Sequence, residues 1–228
     1  ENEVTRLSND VFTMDKILLG DVFIRGGSSS GTHVLEEGRP IGQFYGLVCN
    51  GIDENGRYIM VDKDGDGEIS DPADYDYIGS AQPKLTYGIT NTFRYKNFDL
   101  SFFLRGTIGN DILNATRMAY AQSGFLPGTN ALDDPLTYTL SETPRFSNYY
   151  LEKGSFMRLD NLTLGYKIKA LNGIRVYFTA QNLFVITKYK GLDPEVPMDS
   201  GDGLTPGVEP REFYPKARTF SVGLNLNF

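Results

Sequence analysis

The 228-residue chain has no tryptophan, a single cysteine and a single histidine. One cysteine, Cys49, forbids an internal disulfide, and neither it nor His33 has the companions that a Cys/His metal site requires. There is no nucleophile elbow and no obvious base beside Cys49, so nothing points to an enzyme. His33 lies in a Ser/Gly/Thr-rich stretch and reads as a solvated loop residue, while Cys49 reads as a small packed hydrophobe. No segment approaches the roughly 20 consecutive apolar residues of a membrane-spanning helix, and the mean hydropathy is -0.31. That pattern leaves a membrane β-barrel open, because only alternate residues of a barrel strand face lipid. Basic stripes are missing too. With 22 Lys/Arg against 29 Asp/Glu the net charge is -7, which argues against a nucleic-acid partner.

What is abundant is glycine (25), phenylalanine (15) and tyrosine (14), a profile suited to an all-β protein with many turns. The clearest strand is the last ten residues. Phe220, Val222, Leu224, Leu226 and Phe228 share one parity against Thr219, Ser221, Gly223, Asn225 and Asn227. Side chains alternate between the faces of a strand, so this is one apolar face and one polar or small face. Leu85, Tyr87, Ile89, Phe93 and Tyr95 repeat the pattern with Asn91 as the intruder, as do Phe98, Leu100, Phe102 and Leu104. From Phe156 to Ile168 the alternation is good at Leu162, Leu164, Tyr166 and Ile168. Met157 and Leu159 are out of phase with it, which predicts a bulge near Asp160-Asn161. Val176, Phe178, Ala180 and Phe184 form a further strand, and Lys16 to Ile24 a weak one.

The connections alternate in length. Lys96-Asn97 and residues 169–173 are tight hairpin reversals, whereas residues 25–83, 109–154 and 187–218 are long and irregular in pattern. Compact soluble domains rarely carry three such loops; outer-membrane barrels pair short periplasmic turns with long extracellular loops. Six strands fall short of the roughly eight that close the smallest such barrels, so the expectation is a piece of a larger barrel. The start, Glu1-Asn2-Glu3-Val4, has neither an initiator Met nor a signal sequence, so the expectation is a chain that is processed or a piece of something longer.

Several phrases occur together in order: Gly38-Arg39-Pro40-Ile41-Gly42-Gln43-Phe44-Tyr45-Gly46, Ile78-Gly79-Ser80-Ala81-Gln82-Pro83-Lys84, Leu159-Asp160-Asn161-Leu162-Thr163-Leu164-Gly165-Tyr166, Ala180-Gln181-Asn182-Leu183 and Tyr214-Pro215-Lys216-Ala217-Arg218. This series resembles the C-terminal part of SusC/RagA-type TonB-dependent outer-membrane transporters of the Bacteroidetes. The resemblance implies a plugged 22-stranded transmembrane barrel, with residues 1–228 as the C-terminal part of its barrel domain and the plug and earlier strands lying outside this chain. It implies nutrient uptake, namely import of oligosaccharides or peptides, together with a SusD-like surface lipoprotein as lid and energy from the TonB complex. The alternative from another class is a secreted, calcium-stabilised β-sandwich that binds carbohydrate.

One loop carries a candidate metal site. Asp62, Asp64, Asp66 and Gly67 match positions 1, 3, 5 and 6 of a calcium loop, and Glu68 would offer its carbonyl at position 7. Position 12 is Ala73, not the bidentate Glu, so Asp71 or Asp74 would have to substitute. The other reading of the same residues is an Asp/Gly turn held by side-chain-to-backbone hydrogen bonds. Farther on, Asp199, Asp202, Glu209 and Glu212 read as solvated loop acids. The loop aromatics Tyr45, Tyr58, Tyr75, Tyr77, Tyr120, Phe125, Tyr138, Tyr149 and Tyr150 suit packing within the loops together with partner contact.

Overall fold

The computed structural model describes residues 2–9, 11, 13–24, 27–70, 72–124, 126–169, 174–196, 203–210 and 214–226. The chain divides into two compact units. One comprises residues 83–109, 154–188 and 214–228, and the other comprises the long connections between them, residues 1–82, 110–153 and 189–213.

The first unit is a five-stranded antiparallel sheet. Labelled in chain order over the whole protein, its strands are β7 (Leu85–Tyr95), β8 (Phe98–Ile108), β11 (Phe156–Ile168), β12 (Ile174–Thr187) and β13 (Thr219–Asn225), in the order β13-β12-β11-β8-β7. Register turns the alternation of single strands into rows across the sheet. Tyr95, Phe98, Tyr166, Val176 and Leu224 form one apolar row, and Phe93, Leu100, Leu164, Phe178 and Val222 the next. Rings meet across strands, with Phe98 and Tyr166 centroids 4.6 Å apart. The opposite face carries a row of hydroxyls: Thr92, Ser101, Thr163, Thr179 and Ser221. On that face the Arg175 guanidinium reaches across Gly165 to a two-point bond with Asp99, and a Cβ at Gly165 would collide with Arg175 Nη2. The register shifts between Leu159 and Asn161, so Asp160 is the expected bulge. One extra residue there returns Leu159 to the face of Leu104 and Phe184, and Asp160 Oδ1 accepts a 2.9 Å bond from Arg105. The Lys96-Asn97 reversal is likewise a tight turn, with Lys96 at φ 53°.

The second unit corrects the reading of the long stretches as irregular. It holds β1 (Lys16–Ile24), β2 (Gly27–Glu36), β3 (Gln43–Leu47) and β6 (Tyr75–Ser80) in a four-stranded sheet. Two small pairs, β4 (Cys49–Ile52) with β5 (Tyr58–Met60) and β9 (Asp111–Leu113) with β10 (Leu151–Lys153), are added to it. The weak strand at Lys16–Ile24 thus exists, but it pairs with β2 and is not a sixth strand of the larger sheet. Two short helices complete the unit. In α1 (Ala115–Tyr120), Asn114 caps the Arg117 N–H; in α2 (Pro135–Thr139), Asp134 caps the Leu136 N–H with proline at the first turn. Their apolar sides, Ala115, Met118, Leu136 and Leu140, join Val22, Phe44, Phe146 and Tyr150 in one core.

Two residues expected in solvent are buried in this unit. His33 is fully buried on β2: its Nδ1 meets the Thr32 hydroxyl at 2.9 Å, its Nε2 lies 2.8 Å from the Pro206 carbonyl oxygen, and its ring packs on Phe44. Glu209 is 1% exposed rather than solvated. Local composition failed at both because a Ser/Gly-rich strand and an acidic turn look alike until distant segments cover them. The positions 199, 202 and 212 lie outside the described residues.

Candidate functional site

Residues 62–70 form a largely exposed turn whose carboxylates bend the chain around themselves, and Asp74, which completes the loop, is buried. Asp62 accepts the N–H groups of Gly65 (2.6 Å) and Gly67 (2.9 Å), Asp64 that of Asp66, and Asp66 that of Glu68. Gly65 and Gly67 stand at φ 77° and 89°, the left-handed region that glycine enters without a Cβ clash. Asp74 closes the loop from its far end. Its Oδ1 accepts the Lys63 N–H at 2.6 Å and its Oδ2 the Ser70 N–H at 2.7 Å. These bonds to Ser70 and Lys63 hold the Asp74 carboxyl below the ordinary carboxylate range.

The loop brings Asp62, Asp64 and Asp74 together, with one oxygen from each within 4.8 Å of the others. Of the two residues named as substitutes for position 12, Asp74 is the one found in this group. Asp66 and Glu68 are outside this group of three, and Asp71 lies outside the described residues. Three carboxylate oxygens at that spacing suit a hard cation such as calcium. The backbone N–H groups that the same carboxylates accept also suffice to hold a turn.

The loop aromatics mostly build small cores. Tyr58, Tyr149 and Tyr150 meet edge-to-face, and the Tyr58 and Tyr150 hydroxyls hydrogen-bond to each other. Burial pushes the Tyr150 phenol up to about 12 and Tyr58 higher still. Tyr45 packs against Tyr75 and Tyr77, and Arg39 lies 3.9 Å over the Tyr77 ring. Tyr138 stays 74% exposed, and position 125 lies outside the described residues.

The sheet of the first unit is the larger functional surface. Phe93, Phe98, Phe220, Val222 and Leu224 are all more than half exposed on its apolar face. A contiguous patch of this kind on a protein surface marks a site that meets something other than water.

These features define an antiparallel β protein with one extended apolar sheet face and a separately packed unit of loops. No family model matches the chain. Among curated proteins, TonB-dependent receptor SusC of Bacteroides thetaiotaomicron is 35% identical over 246 residues, covering 100% of this chain and 23% of SusC. TonB-dependent receptor P3 of Formosa agariphila is 34% identical over 237 residues, covering 86% of this chain and 23% of that receptor. The solved structure of the RagAB peptide transporter aligns with a TM-score of 0.71 at 25% identity, over 97% of this chain and 25% of that one. The chain belongs to the SusC/RagA type of TonB-dependent receptors, and it spans 23% of the length of the curated relatives it matches.

Proposed function

We propose that this chain is part of the barrel wall and external loops of an outer-membrane transporter that imports nutrients with energy from TonB. The observation that carries the reading is the apolar face of the five-stranded sheet, continuous from β7 to β13 and backed by a face of hydroxyls, glycines and ion pairs. Lipid is the medium in which such a face is stable, and the polar face then lines the lumen. The edge strands β7 and β13 pair with strands of the remainder of the barrel, since an open edge in lipid would leave backbone N–H and C=O groups unsatisfied. In this reading the turns at 96–97 and 169–173 are periplasmic and the three long connections are external. Oligosaccharides or peptides are the substrate classes, and a SusD-like surface lipoprotein is the partner at the external loops. The 62–74 loop binds calcium as a structural ion through Asp62, Asp64 and Asp74, within the submillimolar to millimolar range of extracellular modules.

Facing on β13 tests the reading directly. Leu224 pairs with Val176 on the apolar face, and Asn225 pairs with Arg175 on the other. In the intact protein, Leu224→Arg should cost about 2–4 kcal/mol and lower the yield of folded, heat-modifiable protein on gels. Asn225→Arg should be tolerated. Equal yields would end the barrel-wall assignment.

A further inference from the structure

The loop-built unit holds a half-open cavity of about 220 Å³ that neither the 62–74 loop nor the sheet accounts for. Thr116 of α1, Leu132 and Asp133 ahead of α2, Lys190, Leu192 and Glu209 are among the residues that wall it. Two carboxylates at this cavity are held very differently. Asp134 is neutralised by Arg117, whose Nε donates to Oδ2 at 2.8 Å and whose Nη2 donates to Oδ1 at 3.4 Å. Glu209 is more deeply buried, at 1% exposure, and no cation pairs with it among the described residues. Its Oε1 accepts the Leu192 N–H at 2.9 Å, and its neighbour is the Tyr189 phenol, which burial and then the Glu209 charge push up. Burying a carboxylate without a compensating cation is costly, so the site favours a ligand that brings the positive charge.

The rest of the wall narrows the ligand. Thr116 Oγ1 is buried and makes no hydrogen bond within the described residues. The residues toward solvent are Asp133 and Lys190, and the Lys190 charge also acts on Asp134. Leu132 (37% exposed) and Leu192 (49%) add apolar surface. Among the described residues lining the cavity none carries an aromatic ring, so they offer no stacking platform of the kind that suits a sugar. An anionic ligand would be repelled by Glu209 and Asp133. The volume, below the roughly 300 Å³ at which drug-sized sites begin, holds one residue rather than an oligomer.

We propose that this cavity binds the amino terminus of a peptide. The α-ammonium group stands against Glu209 and Asp133, the first side chain lies between Leu132 and Leu192, and the first carbonyl is turned toward the Lys190 ammonium. As a substrate subsite this rests on the transport reading; as a binding site it does not.

Equilibrium dialysis of the intact, detergent-extracted protein with L-leucinamide is the test, with N-acetyl-L-leucinamide and maltose as contrasts. Leucinamide should bind saturably, the acetylated compound at least tenfold more weakly, and maltose not at all at this site. Glu209→Gln keeps an oxygen for the Leu192 N–H and should weaken leucinamide at least tenfold. Should Glu209→Gln fail to fold, the exposed Asp133→Asn variant, expected to weaken binding severalfold, takes its place. Equal binding of the acetylated compound, no saturable leucinamide binding by folded protein, or unchanged affinity in a folded variant would each overturn the assignment. The Leu224→Arg and Asn225→Arg pair reads the barrel separately, so a failure there leaves the dialysis result to stand or fall alone.

Discussion

Asp134 does two jobs with one carboxylate. Its Oδ1 caps α2 through the Leu136 N–H, and both oxygens receive the Arg117 guanidinium. Burial alone would raise its carboxyl, but the bonds from Arg117 and Leu136 outweigh that and hold it below the ordinary value. A carboxyl depressed in the folded state contributes stability that is fully present above its unfolded value, near 3.9, and is lost as pH falls through the folded value. Segment 132–140 should therefore resist pepsin at pH 4 and become cleavable as the pH is lowered further. Asp134→Asn should cost about 1–3 kcal/mol and remove that pH dependence. Identical pepsin profiles for the wild type and the variant would show that the pair does not hold the helix.

At the scale of elements, the 62–74 loop has two ways to be ordered, a cation or its own backbone N–H groups, and the two predict different outcomes. If calcium holds it, Asp64→Ala should mimic a chelator, and protease cutting within the loop should rise in both cases. Folding of the five-stranded sheet should be unaffected, because the loop carries little of the core. Cutting that is the same with calcium, with chelator and in Asp64→Ala would leave only the turn. The strands themselves were legible to different degrees. β7 and β11 were readable to their ends, and the Asp160 bulge was visible as a break of phase, because period-two alternation survives wherever one face is apolar and the other is not. β2 was not readable. Its Thr32, His33 and Val34 are all buried, so no alternation marks it, and its His33 is satisfied by the carbonyl of Pro206, 173 residues away. Glu209 was missed for the same reason: what buries it comes from other parts of the chain. Of the candidate metal residues, the pairing of Asp62 with Asp64 followed from spacing, and Asp74 entered as one of two substitutes.

For the whole molecule, charge is divided along the same line as packing. The segments of the sheet unit hold 11 Lys/Arg and 2 Asp/Glu, and the loop-built unit holds 11 and 27. The net acidity of the chain therefore belongs entirely to the loops. A large acidic surface that also presents Tyr138 and the leucines around the cavity is suited to a protein partner, and a SusD-like lipoprotein is the one proposed. Affinity purification of the intact transporter from native membranes in mild detergent should bring down a lipoprotein in stoichiometric amount. Recovery of the transporter alone would remove the lid and leave the barrel standing.

The loop-built unit is sewn from three stretches that lie far apart in the chain. Asn148 receives the Cys49 N–H, Ser141 donates to Gly56, and Leu113 bonds to both Gly207 and Glu209. Each of these contacts closes a long loop, whose entropy opposes it until neighbouring contacts are present. The hairpin of β7 and β8 needs only a two-residue turn. Order of assembly follows from connectivity: hairpins can form as soon as their strands are available, while the loop unit waits for residues 206–209. Until Pro206 to Glu209 are in place, hairpins can be finished while the loop unit is not, with His33 lacking its partner the Pro206 carbonyl and the Leu113 N–H lacking that of Gly207. Exposed core in those loops would thus report that residues 206–209 have not yet docked.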